Sequence, residues 1–288
     1  MLAMVVLLPA ASSGEKALTN LPYADPPHAE QHLDFYWPEK GAEQAILFIH
    51  GGSLKESGER RSSETYANVC SPFVAVGIGC ATIDYRLHPS FKWPAMPDDV
   101  VSAIVRVREL IAARGAEPDR LFLMGHSSGC TLAATVGTNP KFLAKRNLDS
   151  RAIAGVIAMG CVLDNFDVTV REATAEKIQG LLDHFDDYAS LYGTPENWMD
   201  GVPSFHVGEH QPPTLVMVAR RERFFPAVLE QGARFVRLAL ELRRPADLVI
   251  VPGTHRSSIE DLGKSGDPAF QAILAFMRAP AEAGADSH

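Results

Sequence analysis

Short, continuously apolar runs bounded by turn residues recur along the chain. They are Leu33–Trp37, Ala45–Ile49, Gly79–Tyr85, Arg120–Gly125, Ile153–Gly160, Thr214–Ala219 and Leu248–Val251. A half-exposed strand alternates apolar and polar residues, whereas a strand covered on both faces does not. These runs therefore predict strands of a parallel sheet sandwiched between helices. Helical repeats lie between them. From Pro97 to Arg114, residues Val100, Ile104, Val107 and Ile111 recur at three- and four-residue steps and make one apolar stripe. Pro97, with Asp98 and Asp99 behind it, suits a helix start. Proline lacks an N–H that the first turn cannot use, and acids favour the positive end of the helix dipole. Pro226–Leu242, with Val228, Leu229, Phe235, Leu238 and Leu242 apolar, predicts a second helix. Asp267–Arg278, with Phe270, Ile273, Leu274 and Met277, predicts a third.

Alternation of buried strands with amphipathic helices predicts one α/β domain over residues 21–280. The alternation breaks between Gly160 and Gln211. That stretch holds acidic, helix-prone pieces over Val170–Tyr188 and then a turn-rich part. It reads as an insertion between two strands, either a partial cap over the site or a long surface connection. Residues 1–20 read as an N-terminal extension or the remnant of a signal peptide, because Met1–Ala11 is nearly all apolar and Ser-Ser-Gly follows. A basic leading segment is missing, so export and cytoplasmic residence stand level. The run is too short to span a bilayer, so no stable membrane insertion is expected. Residues 281–288 read as a disordered tail.

Composition narrows the function classes. The chain has 288 residues, 46% hydrophobic and 22% charged, which is enough to bury a large core without a metal or disulfide framework. A net charge of -8 gives no electrostatic footprint for nucleic acid. The four cysteines, Cys70, Cys80, Cys130 and Cys161, show no CxxC spacing. They are expected to be free, buried thiols acting as small core hydrophobes. No phosphate-binding Gly-rich motif and no HExxH occurs, so neither cofactor nor metal is expected. Nothing in the sequence speaks to the oligomeric state.

Three segments carry chemistry. Gly125-His126-Ser127-Ser128-Gly129 follows the buried run Leu121–Met124 and precedes the Ala-rich segment Cys130–Val136. Strand, sharp turn and helix in that order push a serine hydroxyl out of the sheet, and the glycines let strand and helix pass closely. Ser127 is a weak nucleophile on its own and needs a base. His50-Gly51-Gly52-Ser53 follows the run Ala45–Ile49. Glycines there free backbone N–H groups to face a developing oxyanion, with the N–H of Ser128 as a further donor. His255, in Pro252-Gly253-Thr254-His255, is the one histidine of ten in a loop after a late buried strand, and it is the expected base. His50 and His126 are expected to brace their turns. The base needs a carboxylate on its far nitrogen, lying between the serine and the histidine in the chain. Glu222 is the only carboxylate in the loop after Pro213–Ala219, though Arg220, Arg221 and Arg223 surround it; Asp164, after Gly160, is the competitor.

Together these residues resemble the esterase/lipase branch of the α/β-hydrolase superfamily, including its hormone-sensitive-lipase-like, feruloyl-esterase-like and arylformamidase-like members. Leu33-Asp34-Phe35-Tyr36-Trp37-Pro38, His50-Gly51-Gly52, Asp84-Tyr85-Arg86-Leu87 and Trp93-Pro94-Ala95-Met96-Pro97-Asp98-Asp99 carry the resemblance beside the elbow. It implies an α/β-hydrolase fold with a mostly parallel sheet, no cofactor and a small-molecule ester substrate. It implies Ser127, Glu222 and His255 as the triad, with N–H groups of Gly51, Gly52 and Ser128 as oxyanion donors. The chain departs from the pattern at Ser53, where a third glycine is frequent, and at Glu222, where the family more often has aspartate. Asp84 and Arg86 are expected to be structural. Trp93, Trp198 and Phe205 either line a pocket or simply pack, with packing the commoner outcome. Hydrolysis of an amide or formamide would use the same groups. A non-catalytic ligand-binding protein on the same fold is the reading from another class.

Overall fold

A computed structural model describes residues 15–164, 174, 176, 179, 186–222 and 225–279. Eight strands form one sheet: β1 (Glu15–Pro22), β2 (His32–Pro38), β3 (Ala45–Ile49), β4 (Gly79–Ile83), β5 (Leu121–His126), β6 (Gly155–Met159), β7 (Thr214–Arg221) and β8 (Ala246–Thr254). Their spatial order is β1-β2-β4-β3-β5-β6-β7-β8. β2 runs antiparallel to both β1 and β4, and every other neighbouring pair is parallel. The mostly parallel α/β sheet is the architecture expected from the continuous apolar runs.

Burial on both faces explains those runs. β3 and β5 are wholly buried, and successive residues enter opposite cores. Leu47, Ile49, Leu121 and Leu123 pack with Val100, Ile104, Val107 and Leu132 from helices α2 (Ala95–Ala112) and α3 (Ser128–Thr138). Ile46, Phe48, Phe122 and Met124 pack on the other side with Phe73 of α1 (Ser71–Ala75) and with Phe270, Ile273 and Met277 of the helix Pro268–Arg278. The expected helix starts move by one or two residues, and Asp267 caps the last helix by accepting from the N–H groups of Ala269 and Phe270.

Several expectations are corrected. The division at residues 20 and 21 falls inside β1, an edge strand that pairs with β2. The four cysteines are not free: Cys70 is bonded to Cys80, and Cys130 to Cys161. The first bridge ties the start of α1 to β4. The second ties the first turn of α3 to the residue after Gly160. Part of the expected Arg220–Pro226 loop is strand, since β7 runs through Arg221. Most of the helix-prone Val170–Tyr188 stretch, residues 1–14 and the tail 281–288 lie outside the described residues. The described end of the insertion packs on α3 and on Trp93, just before the start of α2. Trp93 N–H donates to the Leu191 carbonyl at 2.9 Å, and Thr135 Oγ1 donates to the Gly201 carbonyl at 3.1 Å. No helix among the described residues is long and apolar enough to cross a membrane.

Candidate active site

Parallel register assembles the site. Ile49 of β3 pairs with Gly125 of β5, and His126 of β5 pairs with Met159 of β6. The residues that follow, Gly51, Ser127 and Gly160, therefore meet at the carboxyl ends of three adjacent strands. A Cβ added to Gly51 would stand 2.9 Å from Ser127 Cβ. The Ser127 N–H donates to the Met159 carbonyl at 3.0 Å. Ser127 has φ 56° and ψ -128°, a strained turn for a residue with a side chain and the geometry expected of a nucleophile elbow. Gly125 and Gly129 make the turn passable: a Cβ on Gly125 would collide with the Gly129 carbonyl, and one on Gly129 with the His50 carbonyl. Ser128 opens α3, where N–H groups of the first turn lack intrahelical acceptors.

Glu222 and His255 come together by the same means one strand further on. Arg221 of β7 pairs with Thr254 of β8, so the next residues stand side by side. A register irregularity between Ala219 and Arg221, closed by the Glu222 N–H donating to the Ala219 carbonyl at 3.0 Å, turns Glu222 toward the histidine. His255 Nδ1 lies 2.6 Å from Glu222 Oε2. The Glu222 side chain is 5% exposed and that of His255 35%, so the carboxylate is shielded while the ring reaches solvent. Arg220 and Arg221 point outward. Asp164 sits elsewhere: its Oδ2 accepts from Arg234 Nε at 3.1 Å, and its N–H donates to Gln231 Oε1, both on the helix Phe225–Glu241.

The His255 loop is bracketed. The Thr254 N–H donates to Ser257 Oγ at 2.8 Å, and the Ser257 N–H donates to Thr254 Oγ1 at 3.2 Å. The His255 carbonyl accepts from Ser258 Oγ at 2.7 Å and from His126 Nε2 at 2.9 Å. Gly160, at φ 62°, presses against the ring; a Cβ there would stand 2.9 Å from His255 Nδ1.

On the other flank His50 is fully buried, stacks on Tyr85 with ring centroids 4.4 Å apart, and holds Nδ1 2.6 Å from the Gly51 carbonyl. Burial pushes its pKa down to about 3, against the lesser pull of the Gly51 carbonyl, so the ring is neutral. Its 3.5 Å approach to Asp84 is thus a polar contact and not an ion pair. Asp84 is bound instead by Arg61, through the backbone N–H at 2.9 Å and the guanidinium. Arg86 pairs with the buried Asp99, which also accepts from Gln31. Asp84 therefore ties the end of β4 to the segment around Arg61, and Arg86 ties it to α2, as expected of structural residues. Trp93 packs against Phe142 and Tyr192, and Trp198 against Phe205.

A cavity of about 820 Å³ opens at the opposite end of the sheet between Lys40, Arg114, Arg120 and Arg278, away from this chemistry. A shallow recess of about 490 Å³ borders the site itself, lined by Gly52, Ser53, Glu59 and Arg256 among others. The described residues contain no cluster of three or more His, Cys, Asp or Glu suited to a metal.

With this geometry established, relatives are informative. The chain is 29% identical over 266 residues to Esterase LipC and 27% identical over 230 residues to Esterase LipQ, both of Mycobacterium tuberculosis. These alignments cover 88% and 73% of this chain but only 63% and 54% of the two relatives, so the chain spans little more than half of their length. Among solved structures, a truncated carbohydrate esterase from gut microbiota superposes with a TM-score of 0.68 at 20% identity, covering 93% of this chain and 97% of that one, which is a likeness of fold. The family model described as BD-FAE matches residues 33–232, from β2 into the helix after β7, and the chain belongs to that family, within the esterase branch of the α/β-hydrolase superfamily.

Proposed function

We propose that the protein is a serine-dependent carboxylic ester hydrolase acting on small or aryl esters. The observation that carries this reading is the Glu222–His255 contact at 2.6 Å beside a strained elbow serine. Glu222 fixes the His255 tautomer with its proton on Nδ1, leaving Nε2 as the base. Ser127 Oγ attacks the ester carbonyl carbon while Nε2 takes its proton. Charge then builds on the carbonyl oxygen, where N–H groups of Gly51, Gly52 and Ser128 receive it. The tetrahedral intermediate collapses, His255 returns the proton to the departing alkoxide, and an acyl-serine remains. Water, deprotonated by the same nitrogen, repeats the sequence and releases the carboxylic acid and free Ser127.

Turnover of p-nitrophenyl acetate by wild type and by Ser127→Ala tests the reading. The expectation is loss of turnover, and of labelling by a fluorophosphonate probe, in a variant that melts like wild type. Retained turnover in Ser127→Ala overturns the mechanism, and a wild type that does not label points to a non-catalytic binding protein. A formyl-aromatic amide assayed beside the ester reports the preference between the two substrate classes.

A further inference from the structure

We propose that His126 and Tyr66 are positioning residues that hold the His255 loop in place against the oxyanion segment. This rests on the acyl-transfer roles given above to Ser127, His255 and the glycines.

A carbonyl oxygen can only accept, so His126 Nε2, 2.9 Å from the His255 carbonyl, carries the proton and donates it. Its other nitrogen, Nδ1, is then an acceptor, and the Tyr66 hydroxyl, 2.9 Å away, is its donor. One tautomer satisfies both contacts. A chain of donors therefore runs from the phenol through the imidazole of His126 to the backbone of the base. Beyond the phenol the chain reaches the other half of the site: a Cβ on Gly51 would stand 2.6 Å from the Tyr66 hydroxyl, so the phenol packs directly on the oxyanion segment. Tyr66 and His126 are 1% and 2% exposed. Their arrangement is thus set by the fold and not by solvent.

Two further features make this more than packing. The His126 ring lies 4.4 Å from the His255 ring, centroid to centroid, at 39°. A charged ring there would oppose the imidazolium that His255 must become. Burial, helped by the charge on His255, holds His126 down at about 3, so it stays neutral while His255 cycles. Burial also raises the phenol of Tyr66, the Glu59 carboxylate adding to the effect while the Gly51 backbone and, less, Arg256 oppose it, so the hydroxyl keeps its proton and remains a donor. Without His126, the His255 carbonyl would keep Ser258 Oγ alone of these two donors.

The test compares His126→Leu, His126→Gln and Tyr66→Phe with wild type, measuring kcat and KM on p-nitrophenyl acetate, fluorophosphonate labelling and thermal melts. Glutamine reaches with an amide N–H to about the place of Nε2, whereas leucine fills volume and donates nothing. Losing a buried hydrogen-bond partner predicts a fall in kcat of about 30-fold for His126→Leu and about 5-fold for Tyr66→Phe, with KM within about 2-fold. His126→Gln should recover most of the leucine loss. Equal losses in Leu and Gln, or a wild-type kcat in Leu, overturn the proposal. If His126→Leu does not fold, Tyr66→Phe decides it, and an unchanged kcat there overturns it. A wild type that neither turns over nor labels removes the hydrolase reading and this proposal with it, whereas an active wild type beside unaffected variants removes this proposal alone.

Discussion

Glu222 and His255 lie 33 residues apart in the chain, yet each directly follows one member of a register pair, Arg221 and Thr254, and their side chains meet at 2.6 Å. The contact is a product of two neighbouring parallel strands ending at one level. It makes Glu222 and His255 a unit whose geometry the sheet controls.

Glu222→Gln keeps the shape of the side chain and removes its charge. The expected result is a fall in kcat of about 1,000-fold or more, from loss of the correct tautomer and of support for the imidazolium. Asp164→Asn instead weakens the contact with Arg234 and costs about 1–3 kcal/mol of stability with kcat unchanged. Steady-state kinetics and urea unfolding of the two variants check this. A larger kinetic loss at Asp164 would reassign the acid.

Gly160 sits at φ 62° with a Cβ site 2.9 Å from His255 Nδ1. Gly160→Ala therefore adds backbone strain of about 1–2 kcal/mol and pushes the ring away from Glu222. Kinetics should show kcat falling more steeply than the melting temperature. A variant with full activity would mean that the ring has room to shift without loss.

The Cys130–Cys161 bridge joins the first turn of α3, three residues past the elbow serine, to the strand end beside Gly160. It closes 31 residues of chain, and the loop-entropy relation puts its contribution at about 3–4 kcal/mol. The Cys70–Cys80 bridge, spanning 10 residues, contributes about 2–3 kcal/mol on the same relation. Thiol counting should find no free sulfhydryl in the oxidised protein. Dithiothreitol, or the Cys130→Ala/Cys161→Ala pair, should lower the melting temperature and slow fluorophosphonate labelling together. Four titratable thiols in the native protein would contradict both bridges.

His50 and His126 are each lowered from 6.5 to about 3, mainly by burial. In the unfolded chain both take up a proton below about 6.5, while the native state does so only near 3. Their contribution to stability is thus complete above pH 6.5 and is lost as the pH falls from there toward 3. Each unpaired uptake gives a slope of about 1.4 kcal/mol per pH unit. Urea midpoints between pH 7.5 and 4.5 should fall, and His126→Gln should fall less steeply. A flat profile would mean that the two rings titrate in the native state.

The part of the molecule legible in the sequence is the part set by local patterns. Continuous apolar runs announced β3 to β7 because both faces of the sheet are covered, and Gly125-His126-Ser127-Ser128-Gly129 announced its turn because only glycines permit that approach of helix and strand. β1 was not legible: it pairs on one side only, residues 17–20 are exposed, and an exposed edge carries no burial pattern. The charged end of β7 was read as loop for a similar reason, since Arg220 and Arg221 extend past β6 and are exposed. The cysteines, 10 and 31 residues apart, gave no spacing motif, so their pairing was decided by where α1, β4, α3 and the end of β6 meet.

The same division runs through the site. Sequence by itself determined that Ser127 would stand on an elbow and that His255 and Glu222 would follow late strands. Only the tertiary structure decided which carboxylate meets His255, and that His126 and Tyr66 link the His255 loop to the Gly51 segment. A buried histidine beside the elbow was the available signal, because such a ring must find partners for both nitrogens. Which partners they are depends on strand register, and register arises from contacts between residues far apart in the chain.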